Sequence, residues 1–225
     1  DGATGDLLAL WSAPEFRCVQ VSVRWQHCIT HRPSVVFSGC ISGERVNVLQ
    51  FDRVSLDDEA EVLRQQVRGF IEDNREHLPK PNSDFVTGHD PEFSQKLGEQ
   101  GWIGMTWPAD VGGSDKTNFE RLVVTEELLA AGAPVSAHWI ADRQSGPLLL
   151  RFGTEEQRAK YLPGIARGES YFSIGMSEPD TGSDLASVRT TATAEGDAYR
   201  INGTKIWTTD AHRNHYIICL VRTEA

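Results

Sequence analysis

Two short stretches of the chain carry the residue types that could do chemistry. Residues 176–184 read Met-Ser-Glu-Pro-Asp-Thr-Gly-Ser-Asp, and 18 residues further on 202–209 read Asn-Gly-Thr-Lys-Ile-Trp-Thr-Thr. In the first, Pro179 fixes its own φ and lacks a donor, Gly182 allows positive φ, and Asp180, Ser183 and Asp184 favour turns. Successive N–H groups in such a turn form a concavity suited to phosphate, and the Ser183 hydroxyl could donate to a pyrophosphate oxygen. A plain surface turn accounts for this stretch equally well when it is taken alone. In the second, Asn202 and Gly203 have the form of a tight hairpin turn, and 204–209 read as a short strand. Alternation along that strand puts Lys205, Trp207 and Thr209 on one face and Thr204, Ile206 and Thr208 on the other. An aromatic and a hydroxyl facing the same way suit a flat heteroaromatic ring, although Trp207 alone fits a half-buried sheet position better.

Together the two stretches resemble the acyl-CoA dehydrogenase family, whose flavin loop reads approximately T/S-E-P-x-A-G-S-D and whose next signature reads G-x-K-x-W-I/T-T/S. They stand here at 177–184 and 203–209, and W-P-A-D-V-G-G at 107–113 and G-T-E-E-Q-R-A-K-Y-L-P at 153–163 extend the likeness over 51–225. The resemblance implies an FAD-dependent oxidoreductase of fatty acid metabolism that removes two hydrogens from an acyl-CoA thioester to give the trans-2-enoyl-CoA. It implies that Met176 and Ser177 lie against the isoalloxazine, that Gly182 and Ser183 meet the pyrophosphate, and that Ser183 also touches the pantetheine arm. Trp207 would pack by the flavin, with Thr208 and Thr209 bonding near N5 and the pyrimidine side. Thr181 departs from the usual alanine, and Asp180 adds a charge that should turn to solvent, since a carboxylate beside pyrophosphate is repelled.

The same resemblance places the glutamate base in a third, helical domain beyond Ala225, so no catalytic residue is assigned in this chain. Glu126 and Glu127 read instead as an exposed helix face. This polypeptide alone is therefore expected to hold FAD weakly or not at all and not to turn over. An electron-transfer flavoprotein or similar acceptor and a homotetramer or homodimer are the implied partners. The implied compartment is the cytoplasm, or the mitochondrial matrix in a eukaryote. An acyl-CoA oxidase relative and a non-catalytic scaffold subunit of the same fold are the alternatives.

These stretches must be positioned by what precedes them. The chain has 225 residues and a net charge of −10, which opposes nonspecific nucleic-acid binding. Residues 1–50 hold Cys18, Cys28 and Cys40, contain no lysine, carry charges that cancel and show no helical period. Three readings compete for them: an unusual extension, a disordered leader, or translated upstream sequence. Neither a secretory leader nor a zinc knuckle is present, although Cys18, His27, Cys28, His31 and Cys40 lie at ligand-like distances. From 51 to 168 the periodicity predicts an all-α domain. Its helices run from a Ser55 cap to about 78, over 90–100 behind Asp90-Pro91, over 118–131, over 137–152 with a break near Gly146-Pro147, and over 154–166. Thr154 and Gln157 have capping-box spacing. From 169 to 225 strands are predicted at 171–176, 189–195, 198–201, 204–208 and 216–221. The fold class is α+β, a helical domain followed by a partial antiparallel, barrel-like β domain, with no apolar run long enough for a membrane span.

Other residues invite functional readings that structural ones match or outweigh. His212 and His215 form an H-x-x-H in a loop-to-strand setting, where the pair does not reliably share a face. His138 and Trp139 open the fourth helix and serve capping or packing equally well. Gly112 and Gly113 lack the strand that a phosphate cradle needs. Cys219 lies in an apolar strand and reads as a buried thiol.

Overall fold

The computed structural model describes residues 57–78, 88–196 and 198–223, together with three short strands, β1 (Leu8–Ser12), β2 (Cys40–Ile41) and β3 (Glu44–Arg45). The readings offered for residues 1–50, including the cysteine and histidine ligand set, otherwise lie outside the described residues.

Helix α1 (Asp58–Asp73) starts at Asp57, whose carboxylate accepts from Ala60 N at 2.8 Å, two residues past the expected cap. Acidic Asp58, Glu59 and Glu61 favour the positive end of its dipole. Helix α2 (Pro91–Glu99) begins behind Asp90 with proline in its first turn, as predicted. Helix α3 (Asn118–Ala130) carries a capping box from Thr117 and Glu120, and α6 (Glu155–Ala166) carries the predicted one from Thr154 and Gln157. The apolar stripes of these helices meet in one core that includes Val67, Phe93, Leu97, Met105, Trp107, Leu149 and Leu162, and Phe172 of the sheet closes it.

No break occurs near Gly146-Pro147. Helix α4 (Ser136–Ile140) passes through a π turn (Ala141–Ser145) into α5 (Gly146–Phe152), with Gly146 N bonded to Ala141 O. Proline lacks an N–H and crowds the carbonyl four residues back; the wider turn lets the helix continue. Gly146 is required beneath it, because a Cβ there would stand 2.1 Å from Trp107 Cζ2.

Strands β4 (Phe172–Gly175) and β7 (Tyr216–Leu220) pair in parallel, Phe172 opposite Tyr216, while β1 runs antiparallel on the other side of β7. The expected all-antiparallel order fails at β4 and β7 because the chain makes an antiparallel hairpin, β5 (Thr191–Glu195) and β6 (Ala198–Asn202), before returning in the original direction. The sheets form no closed barrel among the described residues. No strand forms over 204–208 either. No helix among the described residues is long and apolar enough to cross a membrane.

Candidate functional site

Strand β4 delivers the first stretch and the segment after β6 delivers the second to the same place. Lys205 Nζ donates to Met176 O at 3.0 Å and to Glu178 Oε1 at 2.8 Å, and Ile206 N donates to Ser177 O at 2.9 Å. Ser173 Oγ on β4 donates to Thr209 O at 2.7 Å. The two motif cores therefore share a wall, held by backbone as well as by side chains.

Glu178 is the pin of that wall. Its side chain is 6% exposed, and besides Lys205 it accepts from Arg189 N at 2.7 Å, Thr190 N at 2.9 Å and Thr190 Oγ1 at 2.5 Å. Burial alone would raise this carboxyl, but the bonds from Lys205, the Thr190 hydroxyl and the two backbone N–H groups outweigh it and hold it at about 2. Sequence reading missed this role. The available signal was the single base of the two stretches, Lys205, set against the acids Glu178, Asp180 and Asp184.

Beyond Glu178 the chain closes on itself, with Glu178 N bonded to Thr181 O and Thr181 N to Glu178 O, at 2.9 and 3.0 Å. The N–H groups of Gly182, Ser183 and Asp184, which follow this turn, donate to no protein acceptor among the described residues, and all three residues are exposed. That is the condition under which a run of amides can take an anion. Asp180 does turn outward, 75% exposed and 3.6 Å from Arg189.

The second stretch departs from the expected strand. Trp207 has φ +56°, a left-handed conformation that no strand tolerates, and its neighbour Lys205 turns inward to Glu178. Lys205 and Trp207 consequently do not share a face: the first side chain is 9% exposed, and Trp207 is 75% exposed. Nor does a hairpin follow Asn202-Gly203. Thr208 Oγ1 is shielded from solvent yet lacks a hydrogen-bond partner, whereas Thr209 is exposed. Met176 is also partly open, 42% exposed.

The remaining candidates resolve into structural roles. Glu127 is not exposed: its side chain is 12% accessible and bridges Arg64 and Arg68 of α1, with Glu126 also on Arg64 at 3.1 Å. Neither glutamate faces the motif wall. His138 is fully buried with Nδ1 2.9 Å from Ser94 Oγ, and burial pushes its pKa down to about 3. His215 accepts from Tyr171 N at 3.1 Å and stacks on that ring, while His212 lies exposed. Gly112 closes a 3-10 turn, and a Cβ on Gly113 would stand 2.1 Å from Trp107 O, so this pair serves close packing. The Cys219 thiol is pushed up by burial. No cluster of metal-ligating side chains occurs among the described residues.

The acyl-CoA dehydrogenase N-terminal domain matches residues 57–169, and the acyl-CoA dehydrogenase middle domain matches 173–225. Acyl-CoA dehydrogenase FadE26 of Mycobacterium tuberculosis is 36% identical over 177 residues, which are 76% of this chain and 44% of that protein. The ChsE4–ChsE5 complex of the same organism aligns at a TM-score of 0.66 and 35% identity, over 77% of this chain and 45% of its own. A glutaryl-CoA dehydrogenase of Mycobacterium smegmatis, solved with FADH2, aligns at 0.56 and 29% identity, over 68% and 39%. The chain thus spans less than half the length of these relatives.

Proposed function

The chain belongs to the acyl-CoA dehydrogenase family, and from that premise we propose that it supplies the flavin-facing wall of a site that oxidises an acyl-CoA thioester to the trans-2-enoyl-CoA. The observation that carries this reading is the Lys205 bridge, which joins Met176 and Glu178 to the segment bearing Trp207. The residues present fit FAD. The indole is exposed at a conformation that costs energy, the Thr208 hydroxyl is unpartnered, and the amides of 182–184 are free for phosphate oxygens. Met176, Ser177, Trp207, Thr208 and Thr209 would border the ring, and Gly182 and Ser183 would meet the pyrophosphate, with Ser183 also reaching the thioester's arm.

FAD, when bound, accepts the β hydrogen with its electron pair. What this chain contributes is orientation: Glu178 and Lys205 fix the loop, and the exposed indole screens one side of the ring from water. The base that takes the α proton is assigned to no residue here, since Glu126 and Glu127 are engaged by α1. Titrating FAD into the 225-residue chain and following flavin fluorescence tests the reading. Saturable quenching that weakens at least tenfold in Trp207→Ala is expected, together with no acyl-CoA-dependent dye reduction. Equal quenching in the variant overturns the assignment of the wall; robust turnover overturns the placement of the base elsewhere.

A further inference from the structure

Beside the π turn the surface opens into a recess of about 530 Å³ lined by Arg121, Arg143 and Arg151 together with Thr106, Trp107, Pro147 and Leu150. Arg143, Pro147, Leu150 and Arg151 recur at helical spacing along one stripe, and Arg121 faces them from the first turns of α3. Three arginines thus border one space whose lining holds no carboxylate.

The charge balance there is incomplete. The nearest acid, Asp142, is buried and spends Oδ1 on Gly104 N at 2.7 Å. Its Oδ2 lies 3.4 Å from Arg143 Nε, yet that nitrogen makes no hydrogen bond and is shielded from solvent. Arg121 forms no salt bridge among the described residues, although its charge reaches Asp142, and Arg151 lies over the Phe152 ring at 5.0 Å. Arg143 is held in place, bonded to Thr125 Oγ1 and stacked over Trp139 at 4.4 Å. Burial lowers its pKa, the charge of Asp142 opposes that fall, and the nearby charge of Arg121 adds to it.

We propose that this recess binds a small organic carboxylate, with its head between Arg121, Arg143 and Arg151 and its hydrocarbon body against Pro147 and Leu150. Guanidinium forks match a carboxylate bidentately, and the recess falls within the usual range of about 300–1,000 Å³ for ligand sites. A compact inorganic anion would satisfy the charge but leave the apolar wall uncovered. The proposal stands apart from the flavin reading and does not depend on it.

Calorimetric titration of the full chain at 0.15 M salt with sodium hexanoate, hexanol and inorganic phosphate tests it. Saturable binding of hexanoate alone is expected, weakened about tenfold in each of Arg121→Gln and Arg151→Gln, whose exposed or half-exposed side chains leave thermal unfolding unchanged. Equal binding of hexanol would mean apolar adsorption, equal binding of phosphate an adventitious ion only, and unchanged affinity in both folded variants a different site. Any of these overturns the proposal.

Discussion

Replacing Lys205 by methionine removes the ammonium that pins the motif wall and leaves Glu178 charged at 6% exposure. The fall of that carboxyl from 4.5 to about 2 corresponds to about 3 kcal/mol of preference for its ionised form. Lys205 is the largest of the contributions that lower it. Breaking a buried pair by deleting one partner costs about 3–5 kcal/mol. Three neutral donors remain on Glu178, from Arg189 N, Thr190 N and the Thr190 hydroxyl, which puts the expected loss at the lower end, about 3 kcal/mol. Glu178→Gln in the Lys205→Met background removes the stranded charge, so the double variant should lose less than the sum of the singles, with a coupling of about 1–2 kcal/mol. Urea unfolding followed by far-ultraviolet circular dichroism closes this cycle. A loss below about 1 kcal/mol in Lys205→Met would refute the argument that the pair is buried and mutually dependent. The sign with pH is fixed too: a lowered carboxyl contributes stability that is complete above 4.5 and is lost as pH falls through about 2. That segment of acid lability should be missing from Glu178→Gln.

Three further outcomes follow from the packing. His138 is neutral when folded, with its pKa lowered from 6.5 to about 3, so stability should fall with acid across that window, by up to about 1.4 kcal/mol per pH unit. His138→Gln should flatten the slope in pH-dependent thermal melts. Gly146→Ala places a methyl 2.1 Å from Trp107 Cζ2 and should cost at least about 1–3 kcal/mol by overpacking, read as a lowered urea midpoint. Trp207→Ala, at 75% exposure, should change the unfolding free energy by less than about 0.5 kcal/mol while weakening flavin quenching, which separates binding from folding.

The helices were legible because their signals are local. Asp90-Pro91 and the Thr154–Gln157 box satisfy amide groups within one turn, so the residue types suffice to place the starts of α2 and α6. The π turn itself was not legible: Gly146-Pro147 marked the place, but the demand for glycine at 146 comes from Trp107, a residue distant in sequence. The parallel pairing of β4 with β7 likewise depends on the excursion through β5 and β6, which no alternation pattern records. At the site, the adjacency of the two motifs came through the family resemblance, while the strand read over 204–208 failed. Thr, Ile and Trp have the propensity for a strand, but Lys205 is drawn to Glu178 and Ile206 to Ser177, and these tertiary bonds override propensity. Glu127 was misjudged for a related reason: its partners Arg64 and Arg68 lie on another helix, beyond the reach of helix-face arithmetic.

The left-handed backbone at Trp207 has an evolutionary consequence that is open to laboratory selection. A bulky residue at φ +56° carries about 1–2 kcal/mol that glycine would shed. A library screened only for heat resistance should thus enrich glycine at 207, and a library screened for flavin capture should reject it. The indole's aim is written in the main chain rather than in surrounding side chains, so a phenylalanine there would inherit the direction while glycine would lose it.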